Sequence, residues 1–122
     1  MLRFPAQLRL QLRGIEPGKL PEDLVMDDPD TVMQLAADFV DAGSDIILTC
    51  TFGASAIRLK HAGLSDRMAE INTKAVEIAK DAAAGGDTLI AGSIGPLGEM
   101  IKPLGTVEVE EAENYYAAQA KV

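Results

Sequence analysis

Asp45-Ile-Ile-Leu-Thr-Cys-Thr-Phe-Gly-Ala54 decides how this chain is read, together with Thr88-Leu-Ile-Ala-Gly-Ser-Ile-Gly-Pro96 about forty residues on. In each, a short apolar run breaks abruptly into small, polar and glycine residues. A run of that kind predicts a strand buried on both faces, as in parallel sheets. The break marks the carboxyl end of the strand, where α/β proteins place their ligands. Two pieces of a ligand-binding rim are therefore expected, Thr49 to Gly53 and Gly92 to Gly98.

The segments around these runs are helical in pattern. Asp28 suits a helix cap, Pro29 the first helical position and Asp30 the positive end of the dipole. Val32, Leu35, Ala36, Phe39 and Val40 then form one apolar stripe that Gly43 ends. A short helix is expected from Ser55 to Ala62. A longer one, capped by Ser65, carries Met68, Ile71, Ala75, Ile78, Ala79 and Ala82 on its core face and stops at Gly85-Gly86. A Gly/Pro-rich loop follows from Gly92 to Gly105, then a helix from about Glu110 with Ala112, Tyr115, Tyr116, Gln119 and Ala120 on a mixed face. Gln7 to Arg13 is a candidate short helix, and Ile15 to Asp28 reads as loop. Strands alternating with helices imply βαβ units, a right-handed crossover and a parallel sheet. Two strands with helices on one side leave the other sheet face bare, so partner strands are expected from elsewhere.

Composition narrows the function. The chain has 122 residues, 48 % of them hydrophobic, which suits one domain with a core. Nineteen acidic against eleven basic residues, a formal charge of −8, argue against nucleic acid, whose phosphates need a basic surface. Neither a membrane span nor a signal peptide is visible, so a cytoplasmic protein is expected. The single cysteine, Cys50, excludes an internal disulfide and any multi-cysteine metal site made by this sequence alone. No partner that would lower its thiol pKa can be identified, so it reads as a small buried residue and not as a nucleophile. His61 reads as a surface residue. Gly92 to Gly98 lacks the Lys-Ser/Thr of a phosphate loop, and Pro96 removes one N–H donor. The acidic run Glu108 to Glu113 reads as a helix start. Nothing here forms a catalytic or metal constellation; what remains is the rim, with threonine hydroxyls at Thr49 and Thr51.

With those residues identified, the chain resembles the homocysteine-binding domain of the homocysteine S-methyltransferase family, including the first module of cobalamin-dependent methionine synthase. The matching stretches are Leu10-Gln-Leu-Arg-Gly14, Asp28-Pro-Asp30, Ala42 to Ala54, Ile71-Asn72, Ala91-Gly-Ser-Ile-Gly-Pro96 and Pro103-Leu-Gly105. The resemblance implies a (β/α)8 barrel in which zinc, held by three cysteines, binds the homocysteine thiolate. Its methyl group then comes from a donor such as methyl-cobalamin in a separate module, S-methylmethionine or betaine. Zinc would keep the thiol ionised near neutral pH.

On this resemblance the two runs are the second and third barrel strands. Thr49, Thr51, Phe52, Ser93 and Gly95 are expected to line the mouth where the amino-acid part of homocysteine lies. The family's first strand ends in an Asp-Gly-Ala-Met-Gly-Thr-like motif, where this sequence has Phe4-Pro-Ala-Gln-Leu-Arg9, and the family usually has asparagine where Cys50 stands. The zinc cysteines belong to late strands, so no zinc ligand is expected here. Residues 1–122 thus read as a partial homocysteine-binding domain: an irregular segment over 1–28, the first strand altered or missing, then βα units over 29–122. Such a fragment would be inactive alone, with homocysteine as the small molecule its rim is expected to meet. Two other readings stay open: a non-catalytic interaction module completed by self-association or a partner chain, and a small-molecule binder that uses the rims without zinc.

Overall fold

The structure, a computed structural model, describes residues 19–122. The candidate helix Gln7 to Arg13 lies outside the described residues. The elements are α1 (Asp23–Asp27), α2 (Pro29–Asp41), β1 (Ile46–Leu48), α3 (Ala56–Leu59), α4 (Met68–Ala83), β2 (Leu89–Ala91) and α5 (Val109–Ala120). One-turn 3-10 segments, Lys60–Ala62 and Ser65–Arg67, connect α3 to α4.

Local chemistry sets most boundaries. The Asp28 carboxylate accepts the Thr31 N–H at 3.2 Å and the Thr31 hydroxyl at 2.7 Å, capping α2, and Pro29 follows at its first turn. Gly43 (φ 83°) and Gly85 (φ 88°) turn the chain out of α2 and α4 through the left-handed region that glycine enters without strain. Two local expectations are corrected. Asp23–Asp27 is a turn of helix where the sequence reads as loop, because Val25 is drawn fully into the core. Ser65 caps nothing: its hydroxyl donates to the Ala56 carbonyl at 2.9 Å, and α4 starts after Arg67 with no side-chain cap.

β1 and β2 pair in parallel, Ile46 with Leu89, Ile47 with Ile90 and Leu48 with Ala91. Opposed residues in this register share a face. Ile47 and Ile90 point toward the helices, packing with Ala36, Phe39 and Val40 of α2 and Ala79, Ala82 and Ala83 of α4. The opposite face is open, with Ile46, Leu48 and Leu89 between 55 % and 65 % exposed. This corrects the reading of strands shielded on both faces and agrees with the expectation that helices on one side leave the other face bare. Apolarity on both sides of β1 is real, but among the described residues only one side is covered.

A larger cluster lies where the strands end. Val25, Val32, Ala54, Leu59, Ile71, Ala75 and Ile78 bind α1, α2, α3 and α4 together. A third, of Leu97, Val107 and Ala112, seats α5 and the long loop after β2. That loop closes on itself through a bridge between Ile101 and Val107. Both apolar clusters abut the carboxyl ends of β1 and β2, so the rim rests on core and not on a free loop.

Candidate functional site at the strand ends

Past Leu48 the chain bends at Cys50, with the Thr49 and Thr51 hydroxyls meeting on one side and the Cys50 thiol turned to the other. The two threonine hydroxyls stand 2.6 Å apart. The Thr51 hydroxyl donates to the Ser93 carbonyl at 2.7 Å, and the Ser93 N–H donates to the Thr49 oxygen at 3.1 Å. Because the Thr51 proton is engaged with Ser93, the proton between the threonines comes from Thr49. The result is a closed circuit from the Ser93 N–H through Thr49 and Thr51 back to the Ser93 carbonyl. Both threonines are buried, at 5 % and 4 % exposure. Their hydroxyls continue the sheet pairing one step past the last backbone rungs, with side chains standing in for a ladder.

Thr51 to Ala54 then makes a turn, the Ala54 N–H donating to the Thr51 carbonyl at 3.0 Å. Phe52 and Gly53 form its corners. The Phe52 ring is 56 % exposed. The Phe52 carbonyl accepts the Gly95 N–H at 3.0 Å. Gly95 must be glycine there: a Cβ would stand 2.5 Å from the Phe52 carbonyl oxygen and 2.8 Å from two ring carbons. Ser93 is half-buried, and among the described residues its hydroxyl has no hydrogen-bond partner. The structure thus brings Thr49, Thr51, Phe52, Ser93 and Gly95 into one cluster across both strand ends.

Three further residues hold this cluster, none of them expected at the site from the sequence. Glu22, just before α1, is 2 % exposed and accepts the Gly53 N–H at 2.6 Å. Burial pushes its carboxyl above the usual range, against the opposing effects of the Gly53 and Glu22 N–H groups and the Arg58 charge. Asn72 of α4 donates to the Ala54 carbonyl at 2.9 Å and the Met68 carbonyl at 2.7 Å. Gln119 of α5 donates to the Thr51 carbonyl at 2.8 Å and to Asn72 Oδ1 at 3.1 Å. Polar residues set in otherwise apolar helix faces were the available signal for Asn72 and Gln119. Glu22, in a stretch without periodicity, offered none.

Cys50 points away from the threonines, its thiol 3.6 Å from the Pro21 carbonyl. Burial, and then the neighbouring Glu22 charge, push the thiol up to about 12, so a thiolate at neutral pH is disfavoured. Among the described residues no three His, Cys, Asp or Glu side chains are grouped to hold a metal ion. With Cys50 turned into the core, the residues at this rim do not fit a zinc site. His61 is exposed, 3.7 Å from Glu99. No helix among the described residues is long and apolar enough to cross a membrane.

The chain is 33 % identical over 88 residues to S-methylmethionine–homocysteine S-methyltransferase BHMT2 of Pongo abelii, covering 71 % of this chain and 23 % of that protein. It is 35 % identical over 88 residues to betaine–homocysteine S-methyltransferase 1 of Danio rerio, covering 70 % and 22 %. The chain therefore spans about a quarter of the length of these curated relatives. In fold it is similar to the crystal structure of the Escherichia coli homocysteine methyltransferase MmuM in its metallated form, with TM-score 0.67 and 23 % identity over 77 % of this chain and 36 % of that one. The family model described as homocysteine S-methyltransferase matches residues 5–122, and the chain belongs to that family.

Proposed function

We propose that this chain supplies two neighbouring βα units of a (β/α)8 barrel and, at their carboxyl ends, part of the mouth that receives the amino-acid portion of homocysteine. The observation that carries this reading is the parallel pairing of β1 and β2 with both strand ends joined in one hydrogen-bonded rim. The open face of Ile46, Leu48 and Leu89 supports the barrel: it is the face that further strands would turn inward. In this reading Thr49 and Thr51 build the rim and hold Ser93 in place, while the Phe52 ring and the Ser93 hydroxyl face the substrate. Gly95 lets the second rim approach the first closely enough to close that wall.

Methyl transfer to the homocysteine thiolate, giving methionine, is proposed for the assembled barrel in the cytoplasm. The residues at this rim do not fit zinc. What these residues do is bind and orient: they fix one wall and keep water from the rim's buried hydroxyls. Betaine and S-methylmethionine appear in the names of relatives, and this rim does not discriminate between such donors.

Titration of the 15N-labelled chain with L-homocysteine tests the reading. Saturable shifts concentrated at Phe52, Gly53, Ser93 and Gly95 are expected. Shifts confined to other surfaces, or none at millimolar homocysteine, would remove the rim from the substrate site.

A further inference from the structure

The peptide unit between Phe52 and Gly53 is pinned at both of its polar ends. Its carbonyl receives the Gly95 N–H at 3.0 Å, and its N–H is received by Glu22 Oε1 at 2.6 Å. One peptide plane therefore bridges the second rim on one side and a buried carboxyl on the other. Glu22 is in van der Waals contact with this plane: a Cβ built on Gly53 would stand 3.0 Å from Glu22 Oε2 and 3.2 Å from its Cδ. The backbone just before Glu22 grips the same segment again, since the Pro21 carbonyl accepts the Cys50 thiol. Among the described residues Glu22 Oε2 is buried without a hydrogen-bond partner, so the side chain is held to one task by geometry and not shared among several.

A trans peptide is planar and stiff, and tilting it would break both bonds at once. Such a plane also fixes the direction in which the adjoining Phe52 side chain leaves the backbone. We infer that Glu22 is a positioning residue of the substrate mouth: through the Gly53 N–H it locks the Phe52–Gly53 peptide against Gly95 and so sets the exposed Phe52 ring and the spacing of the two rims. That the rims receive homocysteine rests on the function proposed above; the lock itself does not. A hydrogen bond to a carboxyl group buried this deeply is worth more than a solvent-exposed one, enough to change local opening by about tenfold or more.

Amide hydrogen exchange on the 122-residue chain separates the two. Glu22→Ala is expected to speed exchange at Gly53 and Gly95 by about tenfold while Ile71 and Ala75 in the core of α4 keep their rates, because the lost contact is a single local bond. Glu22→Gln keeps an acceptor oxygen and is expected to restore both glycines. Unchanged protection at Gly53 and Gly95 in Glu22→Ala overturns the inference. So does a uniform rise that reaches Ile71 and Ala75 and is not rescued by Glu22→Gln, since that describes a residue serving global stability alone. If Glu22→Ala does not fold, Gly53→Ala displaces the carboxyl without truncating it, and the Gly95 amide gives the same reading. In a parallel homocysteine titration, Glu22→Ala should weaken binding about tenfold and Glu22→Gln should not. Failure of the wild-type chain to bind homocysteine removes the substrate reading and leaves the exchange result to decide the lock.

Discussion

Replacing Gly95 by alanine tests the closeness of the two rims directly. The added methyl carbon would lie 2.5 Å from the Phe52 carbonyl oxygen and 2.8 Å from two carbons of its ring. The ring can rotate away, but the carbonyl belongs to the backbone and is itself held by the Gly95 N–H. The rims must separate, so two costs combine: overpacking of about 1–3 kcal/mol and a lost hydrogen bond of about 0.5–1.5 kcal/mol. Reduced freedom of the unfolded chain returns about 0.4–1 kcal/mol. The net expectation is a loss near 2 kcal/mol, read as a lowered midpoint in urea unfolding followed by circular dichroism.

Two other glycines serve as internal controls. Gly92 has open space around its Cβ position and no left-handed φ, so Gly92→Ala should be neutral or slightly stabilising. Gly43 also has open space but sits at φ +83°, so Gly43→Ala should cost about 1–2 kcal/mol from backbone strain alone. Adding Phe52→Ala to Gly95→Ala should recover the ring contact and not the carbonyl contact, giving a partial rescue. If Gly95→Ala proved as harmless as Gly92→Ala, the two rims would not approach each other closely at Gly95.

Thr51→Val keeps the shape of the side chain but leaves the Ser93 carbonyl and the Thr49 hydroxyl without their partner, and should cost about 1–3 kcal/mol in the same unfolding assay, with Thr51→Ser close to wild type. Iodoacetamide should modify Cys50 far more slowly in the native chain than in urea at pH 8, measured by intact mass, because burial raises its thiol to about 12. The stability contributed by that raised thiol is complete below its unfolded value near 9.0 and is lost as pH climbs from there toward 12, so the wild type should lose ground to Cys50→Ala in alkali. Glu22 also has a raised carboxyl, whose contribution is present in full below 4.5 and lost as pH rises through its folded value. Acidification toward 4.5 should therefore move the wild type up in stability relative to Glu22→Gln.

How much of this was legible in the sequence depends on distance along the chain. β1 at Ile46–Leu48, the Asp28 cap, the α2 stripe and the parallel βαβ order follow from periodicity and capping, which are local. That Thr49 and Thr51 share one side follows from simple alternation along the chain, but their hydrogen bond does not. Nor does the closure of that pair onto Ser93, because forty-odd residues separate them and only the sheet register brings them level. Glu22 was invisible for the same reason, and Gln119, though placed on a mixed helix face, gave no sign of its partner: each acts on the Thr51–Ala54 turn from a distant element. Ser65 illustrates the opposite error, a residue with suitable capping chemistry that was drawn instead to the Ala56 carbonyl.

The exposure of the sheet face and the burial of the rim hydroxyls together constrain what this part of the molecule can contribute. A threonine pair held at 2.6 Å and closed onto backbone cannot turn to meet a ligand without breaking its own circuit. Such groups give shape, and what they leave outward is the Phe52 ring and the Ser93 hydroxyl, the groups that on the proposed function would meet the substrate. Across the strands, Ile46, Leu48 and Leu89 present an apolar surface that water solvates poorly. Among the described residues, a wall fixed at its rim and bare on one face fits the barrel sector proposed above, whose rim would hold its geometry while neighbouring strands completed the interior. On that proposal the fixed rim and the bare face share one physical origin, since both strands would stand between a covering helical layer and an interior that further strands would fill.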